Sequence, residues 1–320
     1  MKLQDFYPIF TFFANVGYNI QEKFQTECDY LACHTDLVPP DCECCITEGS
    51  VNLTALQDDL EKEVFGQHLA KQVVLKLMQI EKRSKPLVLS FHGLTGSGKT
   101  YVSQFLAKHF TPMGVESKFV HKIVASASFP HVTQVKTYQD QLLAWIRGNV
   151  SRCERSLFIF DEIDKVHPEI LHSLIPYLDY HDTIEGVSYR KSVFIFISNT
   201  GANVISDPAL EFWRQGKRRE EIQLNEVEPK LRSYLENTMG SEFYKCDLIK
   251  KNVIDVFVPF LPLELEHVKE CVRAELRRQG RAEDQEAISR IANGMAYYPK
   301  GENAFSRNGC KNVHVRVNLD

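Results

Sequence analysis

Residues 93–100 run Gly93-Leu94-Thr95-Gly96-Ser97-Gly98-Lys99-Thr100 and satisfy the phosphate-loop pattern G-x-x-x-x-G-K-[ST] at every fixed position. The chemistry of that spacing is anion binding. Glycines let successive backbone N–H groups turn inward, and the following helix adds the positive end of its dipole, so a polyphosphate is cradled. Lys99 then reaches the β- and γ-phosphates, and the Thr100 hydroxyl joins the shell of a Mg²⁺ ion. Two more positions carry matching groups. Asp161-Glu162 follows the apolar run Ser156–Phe160; in such a Walker B pair the aspartate holds the magnesium and the glutamate polarises the attacking water. Asn199 follows the run Ser192–Ser198 and suits a residue that orients that water or senses the γ-phosphate.

Those groups work only if the backbone brings them to one place. Pro86–His92 reads as a buried strand ahead of the loop, and Tyr101–Phe110 has a helical pattern behind it, which is the strand–loop–helix setting the motif requires. Phe119–Val124 suits a second strand, and Tyr138–Val150 reads as an amphipathic helix carrying Leu142, Leu143, Trp145 and Ile146. Fully apolar strands alternating with helices predict a parallel sheet covered on both faces, with ligands at the strands' C-terminal ends. Lys99, Asp161 and Asn199 all lie just past such ends. Asn52–Ile80 has a helical pattern throughout, and Pro39-Pro40 marks a break in an irregular stretch over 1–50. Beyond Val256–Leu263 the pattern is helical again, over Leu265–Gln279 and Gln285–Ala296, which predicts a small all-helical domain.

The 320 residues suffice for two domains, and 25% charged with 43% hydrophobic residues is an ordinary globular composition. A net charge of −4 gives no general reason to expect a nucleic-acid partner. No stretch reaches the about 18 apolar residues of a membrane span. Phe6–Tyr18 is apolar and aromatic but interrupted by Pro8; a degenerate signal or interfacial anchor and an ordinary apolar segment both fit it. Of nine cysteines, Cys28, Cys33, Cys42, Cys44 and Cys45 cluster at spacings that match no standard zinc finger, so disulfides in an oxidising lumen fit them better than zinc. The sequons at Asn52 and Asn149 offer N-glycosylation sites in that compartment.

The run Asp161-Glu-Ile-Asp-Lys-Val-His-Pro-Glu-Ile170, followed by Leu178-Asp179 and Phe196–Gly201, resembles the Clp-type branch of the AAA+ ATPases. Phe65–Lys71, Phe129–His131, Trp145–Asn149, Phe158–Glu162, Gly186–Tyr189, Phe212–Arg214, Val258–Leu263 and Gly309–Lys311 resemble the torsins still more closely. Torsins are AAA+ ATPases of the endoplasmic reticulum lumen and nuclear envelope, and the resemblance runs from about residue 42 to the C-terminus. It implies an α/β nucleotide-binding domain over 51–258 and a small helical domain over 259–320, after a Cys-rich segment over 1–50, with ATP between the two domains. It also implies that Lys311 touches the γ-phosphate from the small domain, and that Cys271 and Cys310 can pair as a disulfide that makes nucleotide affinity redox-sensitive.

Three departures qualify what the resemblance implies. Clp-type sequences carry Asn-Arg-Ile-Asp before the small domain, and that arginine completes a neighbouring subunit's site; here the segment is Asn252-Val253-Ile254-Asp255. Loss of such an arginine is worth about 10³–10⁵ in rate, or roughly 4–7 kcal/mol. The chain alone is therefore expected to hydrolyse ATP slowly, as torsins do, and to need a membrane-anchored luminal activator that supplies the arginine. Arg214, Arg218 and Arg219 are the cationic alternatives within the chain. No Gly-aromatic-apolar-Gly pore loop lies between Val120 and Arg155, which argues against peptide threading and leaves Phe129 and Tyr138 as possible partner contacts. Thr100 stands where many torsins have Asn, which favours ordinary metal-assisted nucleotide binding. The expected function is a chaperone-like ATPase, with a homo-oligomer among the expected assemblies; the alternative is a nucleotide-gated binding module that engages membrane-protein partners in the ATP state without significant turnover.

Overall fold

The computed structural model describes residues 51–239, 241–244 and 247–320. The cysteines at 28–45, the Phe6–Tyr18 run and the proline break lie outside the described residues. Five strands form one parallel sheet: β1 (Leu87–Gly93), β2 (Val120–Val124), β3 (Leu157–Asp161), β4 (Val193–Ser198) and β5 (Val256–Phe260). Their spatial order is β2-β3-β4-β1-β5. Leu87 pairs with Val193, Leu89 with Val256, Leu157 with Val193 and Val124 with Asp161. Every residue of β1 and β4 is buried, as a sheet covered on both faces demands.

Side-chain alternation along the strands divides the core into two layers. Leu87, Leu89, Phe91, Leu157, Ile159, Val193, Ile195 and Ile197 face one way. There they meet α1 (Leu53–Glu63), α2 (His68–Met78) and α3 (Lys99–Phe110), through residues such as Leu56, Val74 and Leu106. Val88, Phe158, Phe160, Phe194 and Phe196 face the other. They are covered by α4 (Val135–Val150), α5 (Ala202–Arg214) and α6 (Leu224–Asn237), through residues such as Ile146, Ile205 and Leu231. On that side Phe158 stacks on Phe194 with centroids 4.9 Å apart, and Phe160 lies 5.5 Å from Phe196, as their paired register dictates.

The helical run expected over 52–80 is two helices, not one. Asn52 caps the first by accepting from the Ala55 N–H at 3.1 Å, and the backbone is extended at Val64. Gly66 has φ +65°, and a Cβ there would lie 2.6 Å from the His267 ring. Close approach of another segment, invisible in helical periodicity, thus breaks the run and turns Val64 and Phe65 towards the strand ends.

The C-terminal part holds α7 (Leu265–Arg278), α8 (Gln285–Asn293) and α9 (Val313–Leu319). A separate apolar cluster joins them through Val272, Ile288, Ile291, Val313 and Val317. The parallel sheet with flanking helices and the helical C-terminal region are both as the sequence predicts. Two short strands, β6 (Tyr297–Tyr298) and β7 (Phe305–Ser306), pair antiparallel between α8 and α9. Among the described residues no helix is long and apolar enough to cross a membrane.

Candidate functional site

The loop after β1 and the start of α3 open onto a cleft of about 590 Å³. Thr95–Thr100, Asp161, Glu162 and Asn199 line it from the sheet side, and Cys271, Cys310 and Lys311 from the C-terminal helices. The sequence-predicted residues are thus brought together at one edge of the sheet, because parallel strands all deliver their C-terminal ends there. Gly93 ends β1, and Leu94 carries the chain into the loop.

The loop conformation depends on close backbone approach. Gly96 has φ +76°, and a Cβ on it would meet the Asn308 carbonyl oxygen at 1.8 Å. The Cys310 N–H donates to the Gly96 carbonyl at 3.1 Å. The phosphate loop is therefore held from outside by the turn that carries Cys310 and Lys311. From beneath it is held by Gln67, which is 1% exposed. Its amide donates to the Ser97 carbonyl at 2.9 Å and the Leu261 carbonyl at 2.8 Å, and accepts from the Leu261 N–H at 2.9 Å.

Lys99 is buried, with its ammonium donating to the carbonyls of Gly93 (2.7 Å) and Leu94 (2.9 Å) and to Asn199 Oδ1 (3.0 Å). Burial pushes its pKa down to about 8, against the pull of Asp161 and Asp164. A buried cation resting on neutral dipoles gains from an anion at hand. The Ser97 hydroxyl in the same loop is buried without a partner. These groups fit a polyphosphate. Thr100 Oγ1 donates to Asp161 Oδ2 at 2.9 Å, so a hydroxyl and a carboxylate converge as a donor pair suited to a hydrated magnesium ion.

Glu162 adopts left-handed backbone, φ 62° and ψ 38°, which costs a non-glycine residue about 1–2 kcal/mol. Both of its carboxylate oxygens are engaged. Lys165 Nζ donates to Oε1 at 2.7 Å, and the Ser126 hydroxyl makes a short bond to Oε2. The bond from Lys165, then that from Ser126, lower its pKa, with Lys311 adding attraction. Ser126 is beside Glu162 because Val124 pairs with Asp161 across β2 and β3. No local sequence signal marks it. Gln67 does sit in a distinctive segment, but only the fold reveals its three bonds. Glu63, Val64, Tyr101 and Arg278 also line the cleft and escape a search confined to motifs.

The segment at the arginine-finger position is tied into the core. Val253 is fully buried; Lys85 Nζ bonds the Val253 carbonyl at 2.8 Å and pairs with Asp255 at 2.8 Å. Each of the alternative arginines makes an ion pair of its own. Arg214 makes a two-pronged pair with Glu302 (2.9 and 2.8 Å), and Arg219 is buried against Glu264 (2.8 Å) and the Pro262 carbonyl (2.9 Å). Arg218 pairs with Glu220 at 3.6 Å. None of the three lines the cleft. Phe129 packs edge-on against Tyr138 at 5.5 Å.

Cys271 and Cys310 are joined as a disulfide, with Cα atoms 6.1 Å apart, and Cys153 is disulfide-bonded as well. Asn52 is exposed at the start of α1. Asn149 sits in the last turn of α4, its amide donating to the Trp145 carbonyl at 2.8 Å. Among the described residues, no group of three or more His, Cys, Asp or Glu is placed to hold a metal ion by itself.

Comparison with known proteins supplies an independent line. The family model described as Torsin matches residues 41–160, and that described as Torsin-1A, C-terminal domain, matches residues 263–319. A torsin-like protein of Caenorhabditis elegans is 41% identical over 287 residues, covering 87% of this chain and 80% of that protein. Among solved structures, the S. cerevisiae Hsp104–ADP complex aligns with a TM-score of 0.59 and 19% identity over 92% of this chain. A closed-state cryo-EM reconstruction of Hsp104 with ATPγS and FITC-casein aligns with a TM-score of 0.56 and 19% identity over 83%. The chain spans about half the length of these Hsp104 chains, 51% and 46%. At that identity the likeness shows a shared AAA+ fold.

Proposed function

The chain belongs to the torsin family, and from that premise we propose that it is an AAA+ ATPase of the endoplasmic reticulum lumen and nuclear envelope. In this reading it is a chaperone-like switch that turns over slowly until a membrane-anchored luminal activator supplies an arginine. The observation that carries the reading is the convergence of Lys99, Thr100, Asp161, Glu162, Asn199 and Lys311 around one cleft between the sheet and the C-terminal helices.

The loop N–H groups and Lys99 bind the polyphosphate, and the lysine exchanges its carbonyl partners for phosphate oxygens. Magnesium, held by Thr100 and Asp161, would neutralise part of the phosphate charge. Glu162 accepts a proton from the attacking water once it is released from Lys165 and Ser126. Asn199 orients that water, and Lys311 adds a second positive charge from the small domain. The slow basal rate follows from what the chain would offer a neighbouring subunit's cleft. Val253 is a buried aliphatic at the finger position, and Arg214, Arg218 and Arg219 are paired away from the cleft.

The division into a Cys-rich 1–50 segment, a 51–258 large domain and a 259–320 small domain belongs to this proposal. So do glycans on Asn52 and Asn149, and assembly into a homo-oligomer or with the activator. A second reading, a nucleotide-gated binding module, is favoured by the capture of both Glu162 oxygens.

ATP hydrolysis by the purified chain, with and without an activator's luminal domain, separates these readings. Near-zero turnover that rises about 10³-fold or more with the activator, and disappears in Glu162→Gln, is the expected result. Substantial turnover by the chain alone would show that it completes its own site. No turnover under any condition, with ATP still bound, would favour the binding module.

A further inference from the structure

Two sets of contacts join the C-terminal helices to the sheet domain around the cleft. One is the Cys310–Gly96 backbone bond already described. The other involves side chains that neither the phosphate chemistry nor the sensors use. Arg278, in the last turn of α7, donates through Nη2 to Glu63 Oε2 at 3.1 Å and to the Tyr101 hydroxyl at 3.1 Å. The Tyr101 hydroxyl donates to the same Glu63 oxygen at 3.1 Å, closing a three-membered ring of bonds. Through Nη1, Arg278 also bonds Glu275 on its own helix at 2.9 Å, which fixes the direction of the guanidinium.

The three residues stand on three different elements. Glu63 ends α1 and leads into Val64 and Phe65. Tyr101 follows Thr100 in α3, on the first turn after the phosphate loop. Arg278 belongs to the small-domain side. All three line the cleft. The Tyr101 ring is fixed edge-on against Phe105 at 4.7 Å, so its hydroxyl is aimed by packing. Arg278 is 57% exposed and Glu63 34%, so the ring of bonds sits at the solvent edge of the cleft, where opening it needs no unfolding.

We propose that Glu63, Tyr101 and Arg278 form a latch across the cleft that must part each time a nucleotide is released, and so sets the residence time of ADP. The proposal rests on the cleft being the nucleotide site. A nucleotide held between the two halves leaves when they separate, and separating them breaks the Arg278–Glu63 and Arg278–Tyr101 bonds. Because Tyr101 adjoins Thr100 on the same helix turn, the latch reports directly on the helix that carries the phosphate loop. It acts on the off-rate and not on hydrolysis, since none of the three residues contacts Glu162 or Lys99.

Stopped-flow release of a fluorescent ADP analogue, chased by excess ATP, tests this on the full chain. Arg278→Ala and Glu63→Gln are each expected to speed release by about two- to fivefold, the range of a half-exposed ion pair. The two changes combined should add little to either alone, and Tyr101→Phe should give a smaller acceleration. The charge-reversed pair Glu63→Arg with Arg278→Glu should bring release back towards the parent rate. Unchanged release in the single variants, or additive effects without rescue by reversal, would overturn the latch while leaving the nucleotide site intact. Failure of the unmodified chain to bind the analogue would overturn the site reading, and the latch with it.

Discussion

Lys99 and Gln67 illustrate how differently two site residues reveal themselves. Lys99 is fixed by a spacing rule, because a lysine behind a glycine-rich turn at the start of a helix has one productive task. Gln67 has no such rule. Its amide works as a buried splice between the Ser97 carbonyl and both backbone groups of Leu261, positions far apart in the chain. Gln67→Ala would strand three buried backbone groups, each unmet bond being worth about 1–3 kcal/mol. The expected outcome is a loss of about 3 kcal/mol or more in a denaturant titration, together with weaker ATP binding, because the loop loses its support. Unchanged stability would mean that water replaces the amide. Glu162 was legible as an acid at a strand end, but its capture by Ser126 and Lys165 was not, since it depends on β2 lying beside β3.

At the level of elements, the strands were legible because continuous apolar runs have few alternatives in a parallel sheet. The break between α1 and α2 was not, because it answers to His267, which arrives from α7. β1 carries a titratable residue where the pattern asks for an apolar one. His92, in β1, is fully buried. Its Nδ1 lies 2.9 Å from the Thr200 carbonyl, which can only accept, so Nδ1 carries the proton; Nε2 then accepts from the Ser90 hydroxyl at 2.7 Å. Burial pushes its pKa down to about 3. The folded state thus binds its proton less readily than the unfolded chain, whose histidine titrates near 6.5. Stability from this group is full above about pH 6.5 and falls by about 1.4 kcal/mol per unit as pH drops towards 3. Denaturation at pH 7 and at pH 4.5 should show that slope, reduced in His92→Phe. An equal slope in the variant would assign the acid sensitivity to other groups, such as His121 and His267, whose pKa values burial also lowers.

For the whole molecule, the proposed function depends on how the C-terminal helices meet the sheet domain. The Cys271–Cys310 disulfide ties α7 to the turn that contacts Gly96 and presents Lys311. Its reduction is expected to change ADP affinity by about fivefold or more, the scale of a modest coupling energy. Titrations with and without reductant should differ for the unmodified chain and coincide for Cys271→Ser; no difference in either would leave the bond a structural brace. The sequence by itself determined the phosphate loop, the acidic strand end, the parallel α/β class and the family, because each is written in contiguous residues or short fixed spacings. Only the tertiary structure decided that Val253 is sealed in the core, that Arg219 is spent on Glu264, and that Arg278 meets Glu63 and Tyr101. Those facts depend on which segments pack together across long separations in the chain. Local spacing carries no record of such contacts, because packing is set by the shape and burial of whole elements.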